Sequence, residues 1–190
     1  MLIIVRHGQT HVNAERRLQG HLDAELDDVG RAQAASLAAA VGSVSRIVCS
    51  PLLRARQTAA AIGAPVTVDE RWIEIDYGVL DGRSLDEVGA TSLWSDWHAD
   101  LGLAPEGGES ITAVIERVKR ACADLVAEAT DTDVAVVSHV TPIKAAVVWA
   151  MGVPDPAIWR MFLATASVTR IGFGPRGPVL RSFNETAHLG

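Results

Sequence analysis

Cysteine is scarce in this sequence: Cys49 and Cys122 are the only two among 190 residues. Two thiols exclude a disulfide framework, and no Cys-x-x-Cys pair offers a zinc site. Both lie in apolar segments, where cysteine serves as a small buried hydrophobe in a reducing compartment. Positive charge is short as well. Lys and Arg total 17 against 23 Asp and Glu, a formal net charge of −6, which excludes the extended basic surface that a nucleic-acid backbone requires. Long hydrophobic runs are missing. Met1 to Val5 stops at Arg6, and Ala145 to Val153 contains Gly152, so neither reads as a signal peptide or a membrane span. The expectation is a cytoplasmic protein with neither membrane nor nucleic acid as partner. Repeats and low-complexity linkers are absent, and the length suits one domain spanning residues 1–190.

What is there is an alternation of short apolar runs and helical segments. Leu2–Val5, Arg46–Cys49 and Val134–Val137 read as strands buried on both faces. Residues 28–41 read as a helix that Asp27 caps and Gly42 ends. Ser50 and Pro51 open another through about Ile62, and Ser84 with Glu87 has the form of a capping box. Ser110 caps the clearest helix, with Ile111, Val114, Ile115, Val118, Ala121, Cys122, Leu125 and Val126 at helical spacing. Thr141 as cap and Pro142 at the first position start a helix to Met151. Short strands are expected at Val66–Val68 and Trp72–Ile75, with closing strands at 167–173 and 179–183. The implied class is α/β: a three-layer α/β/α sandwich with a mostly parallel central sheet.

Ligands of such sheets sit beyond the carboxyl ends of the strands, where this chain concentrates its chemistry. The first strand ends in Arg6-His7-Gly8-Gln9-Thr10, the second runs into Ser50-Pro51-Leu52-Leu53-Arg54, and the third ends in Ser138-His139. Parallel strands would bring Arg6, His7, Arg54 and His139 together as an anion site of guanidinium, imidazole and backbone donors. A neutral imidazole there can attack phosphorus, with the arginines neutralising the equatorial oxygens. Glu74, between Ile73 and Ile75, is a candidate proton donor whose apolar neighbours favour its neutral form. No carboxylate cluster has metal-ligand spacing, so the arginines must supply the charge that a metal otherwise would, and no cofactor is implied. His11, His21, His98 and His188 lack such a context and read as loop or surface residues, as does Arg56. Trp94 and Trp97 are either part of a substrate lid or cover for the core.

These motifs resemble the histidine phosphatase (phosphoglycerate-mutase-like) superfamily. Arg6-His7-Gly8-Gln9-Thr10 with Asn13 is similar to its signature, and further blocks follow in order: Leu26–Gly30 with Gln33-Ala34, Ser50–Ala59, Glu74–Arg83, Pro105–Ser110 and Val137–His139. The resemblance implies a phosphoglycerate-mutase-like fold and a nucleophile at His7. Arg6, Arg54 and His139 would hold the phosphoryl group, and Glu74 would donate the proton. Gly8, Asn13, Gln19, Gly20 and Val140 would border the substrate. Val140 is a departure, since members usually carry glycine after the second histidine.

The superfamily contains phosphatases and mutases. Residues 75–109, its variable lid segment, carry eight acids against Arg83 and His98. A mutase must retain a doubly phosphorylated intermediate, and this segment offers no second cluster of cations. Hydrolysis of a small phosphorylated metabolite with a neutral or modestly polar leaving group is therefore expected, without a metal. α-Ribazole phosphatases and broad-specificity phosphatases are similar in size. The alternatives are a cofactor-dependent phosphoglycerate mutase and a non-catalytic phosphate-binding module. The oligomeric state is not legible.

Overall fold

The three apolar runs expected as buried strands lie side by side in one sheet. In chain order the computed structural model, which describes residues 1–190, runs β1 (Leu2–Arg6), α1 (His11–Ala14), α2 (Asp28–Val41), β2 (Arg46–Cys49), α3 (Leu53–Ile62), β3 (Val66–Val68), α4 (Leu85–Gly89), α5 (Ser92–Ala99), α6 (Ile111–Asp131), β4 (Val134–Ser138), α7 (Val140–Met151), β5 (Val168–Gly174) and β6 (Gly177–Glu185). The strand order is β3-β2-β4-β1-β5-β6. The first four are mutually parallel, and β5 and β6 close one edge antiparallel. The result is the expected α/β architecture with a mostly parallel sheet.

Alternation along the strands builds two cores. Leu2 and Ile4 of β1, Val48 of β2 and Val134 and Val136 of β4 pack with α6 and α7. Their neighbours Ile3, Val5, Ile47, Cys49, Ala135 and Val137 pack with α2 and α3 on the other face. Each fully buried Val, Leu or Ile stabilises the fold by roughly 1.5–3 kcal/mol. The two cysteines fall in opposite cores, and burial pushes the Cys49 thiol up to about 12. No helix is long and apolar enough to cross a membrane.

Three expected boundaries move. Residues 72–75 are not a strand: Glu70–Trp72 form a 3-10 turn that Asp69 caps, and the chain beyond it runs to the site unpaired with the sheet. The helix expected at Pro51 begins at Leu53, because Ser50 Oγ lies 2.7 Å from His139 Nε2 and at 3.4 Å is a long acceptor for the Leu52 amide. The helix expected to open at Pro142 starts two residues earlier, with His139 at the cap position and Pro142 still inside the first turn, where its missing N–H costs nothing. The caps Asp27, Ser84 and Ser110 stand where expected.

Candidate active site

Strand register assembles the centre. Arg6 pairs with Ser138 in the parallel ladder of β1 and β4, so the next residues, His7 and His139, leave the sheet side by side. Their ring centroids are 5.0 Å apart. β2 flanks β4, and the turn after it delivers Arg54 as the second residue of α3, 1% exposed.

The His7 amide donates to Ser138 O at 3.0 Å, and the Ala166 amide donates to His7 O at 3.0 Å. His7 Nδ1 lies 2.7 Å from Gly8 O. A carbonyl only accepts, so Nδ1 carries the hydrogen and Nε2 keeps its lone pair. Burial, followed by Arg54 and Arg6, holds the His7 pKa well below the usual imidazole range, so the ring is neutral at physiological pH. His139 is depressed in the same way, by burial first and then by Arg54.

The loop that presents His7 rests on α2. A Cβ on Gly30 would stand 2.0 Å from Gln9 O, and one on Gly8 would stand 2.5 Å from Gly30 O. Gln33 accepts the Gln9 amide at 2.9 Å, and Thr58 Oγ1 accepts the Gly8 amide at 3.0 Å. The block Leu26–Gly30 with Gln33 thus holds the His7 loop in place. Asn13 caps the other side: its Oδ1 accepts the Thr10 amide at 3.2 Å.

Both arginines are tethered to carbonyls, Arg6 to Leu163 at 2.7 Å and Arg54 to Leu22 at 2.9 Å and to Gly20 at 2.7 Å. Burial lowers each to about 10, so both remain charged at neutral pH. The Nε of each arginine, Gln19 Nε2 and His139 Nδ1 are buried without a partner. An unfilled buried donor costs about 1–3 kcal/mol. Arg6, Arg54 and Gln19 line, with His7, Asn13, Gly20, Glu74 and Val140, one cleft of about 420 Å³. Unfilled donors around a cationic cleft fit an anion.

Glu74, 6% exposed, does not sit among apolar groups alone. Its Oε1 accepts from the Ile75 and Thr141 amides at 2.9 and 3.1 Å, and Oε2 accepts from Val140 at 3.1 Å. The carboxylate thus caps α7 from outside, across the cleft wall. Its own carbonyl is held by His21 Nε2 at 2.9 Å and by Arg117 at 3.2 Å, and Arg117 is paired to Glu109 at 2.9 Å. Val140 takes the first helical position with no positive φ, so nothing in this backbone demands glycine there. No three His, Cys, Asp or Glu side chains are grouped as metal ligands.

A profile of the histidine phosphatase superfamily (branch 1) matches residues 2–186. The chain belongs to that superfamily. It is 34% identical over 198 residues to a Mycobacterium tuberculosis protein named as bifunctional, a match covering 99% of this chain and 54% of that one, so the chain spans about half that relative's length. It is 32% identical over 203 residues to the probable phosphoglycerate mutase GpmB of Salmonella choleraesuis, covering 98% of this chain and 93% of that one. A phosphoserine phosphatase of Entamoeba histolytica, solved with phosphoserine, superposes with a TM-score of 0.91 at 28% identity over 99% of this chain and 98% of that one.

Several cleft residues of this chain escaped sequence reasoning. Arg16 and Arg17, from the turn after α1, line it, as do Tyr77, Lys144 and Trp159. Lys144 stands four residues after Val140, which on a helix is the same face and was a usable signal. Trp159, in the 3-10 turn beyond α7, had none. The segment 75–109 contributes Tyr77, Leu85 and Trp94 to the cleft, whereas Trp97, 1% exposed, belongs to the core. Arg56 is exposed, as expected.

Proposed function

We propose that the protein hydrolyses a small phosphomonoester through a phosphohistidine on His7, without a metal ion. The observation that carries this is the tautomer of His7: Nδ1–H is committed to Gly8 O at 2.7 Å, and a neutral Nε2 is left beside two buried arginines with unfilled donors. Nε2 attacks phosphorus and the bond to the leaving oxygen breaks. Arg6, Arg54 and His139 take the phosphoryl oxygens, supplying the charge. Glu74 protonates the departing oxygen from Oε2, which accepts only one amide and keeps a lone pair for the proton. Water then attacks the phosphohistidine and returns a proton to Glu74, and phosphate leaves.

A mutase reading draws on the GpmB relatives and on the additional cations of the cleft. Those cations are partly committed, Arg17 to Glu15 at 2.9 Å and Arg16 to Asp86 at 3.4 Å. Hydrolysis of p-nitrophenyl phosphate in excess EDTA, by the parent and by His7→Ala, tests the proposal. Turnover that survives chelation and vanishes in the variant supports it, and loss of turnover on chelation overturns it. Phosphate transfer that requires a bisphosphorylated sugar acid marks a mutase, and absence of covalent phosphate on His7 after incubation with substrate marks a binding module.

A further inference from the structure

The main chain of His7 is held from two sides. Its N–H donates to Ser138 O at the end of β4, and its carbonyl accepts the Ala166 amide at 3.0 Å. The second contact carries the antiparallel pairing of β1 with β5, where Val5 faces Val168, one step past both strands. Ala166 is an unusual residue to make it. Its φ of 53° lies in the left-handed region, which a Cβ disfavours, and its side chain is fully buried in the core under α2 and α3. Such a backbone persists only where its surroundings over-determine it.

Those surroundings come from the end of the sequence. His188 Nε2 lies 2.9 Å from Ala166 O, and because a carbonyl only accepts, Nε2 carries the hydrogen. Two residues before Ala166, the Ala164 amide donates to Asn184 Oδ1 at 2.8 Å. Leu163, next to it, gives its carbonyl to Arg6. Residues 163–166 therefore touch Arg6 and His7 on one side and Asn184 and His188 on the other. His188 belongs to the 3-10 turn Ala187–Leu189, which packs on α2 with Leu189 against the core. It shares the edge of a groove with Gln33, the residue that accepts the Gln9 amide. The main chain on both sides of Gly8 is thus braced from this one face. Packing alone would be served by another apolar residue like Leu189, whereas an imidazole adds a donor of fixed reach.

We propose that His188 is a positioning residue for His7: its Nε2–H holds the left-handed Ala166 peptide, so that the Ala166 amide fixes the His7 carbonyl and with it the direction of the ring. The kinetic consequence rests on the hydrolase reading. Arg54 and His139 lie outside this chain of contacts, and Asn184 keeps the Arg6 end of the segment in place. Loss of the His188 donor therefore lowers kcat and leaves KM as it was.

The test compares His188→Phe, which keeps a planar ring and removes the donor, with His188→Gln, whose Nε2 can stand in for the imidazole nitrogen. Leu189→Ala loosens the same turn without touching Ala166 and controls for a structural role. Imidazole ¹⁵N spectra follow the His7 ring with no substrate present, and p-nitrophenyl phosphate turnover gives kcat and KM separately. In His188→Phe the His7 ring signals are expected to move and kcat to fall about three- to tenfold, the worth of one hydrogen bond, with KM within about twofold of the parent. His188→Gln is expected to recover both, and Leu189→Ala to leave both in place. Near-UV circular dichroism establishes that each variant folds; His188→Asn, too short to reach Ala166 O, replaces His188→Phe if the phenylalanine does not. Unchanged kcat without the donor, a loss carried by KM, no recovery in His188→Gln, or an equal loss in Leu189→Ala overturns the inference. If the parent turns over nothing while the His7 signals still depend on His188, the hydrolase reading falls and the brace stands; full turnover in every variant would do the reverse.

Discussion

Glu74→Gln separates the two tasks assigned to Glu74, because glutamine keeps the shape and loses both the proton and one acceptor. The carboxylate now accepts three backbone amides on two oxygens, from Ile75 and Thr141 on one and from Val140 on the other. Glutamine offers a single oxygen. Whichever way its amide turns, at least one buried N–H meets an NH₂ group instead of an acceptor, at about 1–3 kcal/mol. For a chain of this size each kcal/mol shifts Tm by roughly 2–4 °C, so a fall of about 2–12 °C is expected in a thermal melt. The catalytic loss depends on the leaving group. With an alkyl phosphate, whose alkoxide must be protonated as it leaves, kcat/KM is expected to fall about 10²–10⁴-fold, the ordinary contribution of general acid catalysis. With p-nitrophenyl phosphate, whose phenolate is stable unprotonated, the fall is expected to be at least tenfold smaller. Steady-state kinetics on both substrates with the same enzyme preparation reads the difference. Equal losses on the two would mean that Glu74 acts only by capping α7 and holding Val140 and Thr141, and proton donation would have to be assigned elsewhere.

Three other outcomes follow from the geometry. Inorganic phosphate should raise Tm, because it supplies acceptors to Arg6, Arg54 and Gln19; a hundredfold excess over Kd adds about 2.7 kcal/mol, and Arg54→Lys, which cannot reach Leu22 O and Gly20 O while facing the cleft, should lose most of that shift. If phosphate shifts neither protein, the unfilled donors are not an anion site. Stability should fall on acidification: His7 and His139 titrate well below 6.5 when folded and near 6.5 when unfolded, so below about pH 6.5 the unfolded chain binds more protons. The slope is up to about 1.4 kcal/mol per pH unit for each histidine and vanishes above that range. Denaturant midpoints from pH 7 to 5 should show a smaller slope for His139→Gln than for the parent, and identical slopes would remove His139 from the account. Finally, Gly30→Ala puts a methyl group 2.0 Å from Gln9 O. It should cost about 1–3 kcal/mol and displace the His7 loop, lowering kcat more than an equally destabilising Leu37→Ala two turns further along the same buried face of α2; equal kcat would show that the loop does not depend on this contact.

Most of the sheet and the convergence of Arg6, His7, Arg54 and His139 were legible in the sequence, because both follow from local signals. Leu2–Val5 and Val134–Val137 are apolar on both sides, which only interior strands tolerate, and the residues that follow such strands must emerge at one edge. His7 and His139 needed nothing more to be placed together. The errors lie where a residue answers to something distant. Ser50 read as a helix cap, yet its hydroxyl lies 2.7 Å from His139, which is 89 positions away, and α3 starts later as a consequence. Trp72–Ile75 looked like a strand by composition, but the carbonyl of Glu74 is taken by His21 and Arg117, leaving that backbone outside the sheet. Tyr77, Lys144 and Trp159 converge on the cleft from three separate segments, and no spacing rule links them.

The same contacts explain why the unusual residue after His139 is tolerated. A glycine there would supply conformational freedom, but residue 140 occupies the first helical position, where valine is not sterically barred. What the site requires of this residue is its amide, aimed at Glu74 Oε2. The valine side chain then becomes part of the cleft wall on the same helix face as Lys144, one turn on. Position 140 thus contributes its amide to Glu74 and its side chain to the cleft wall.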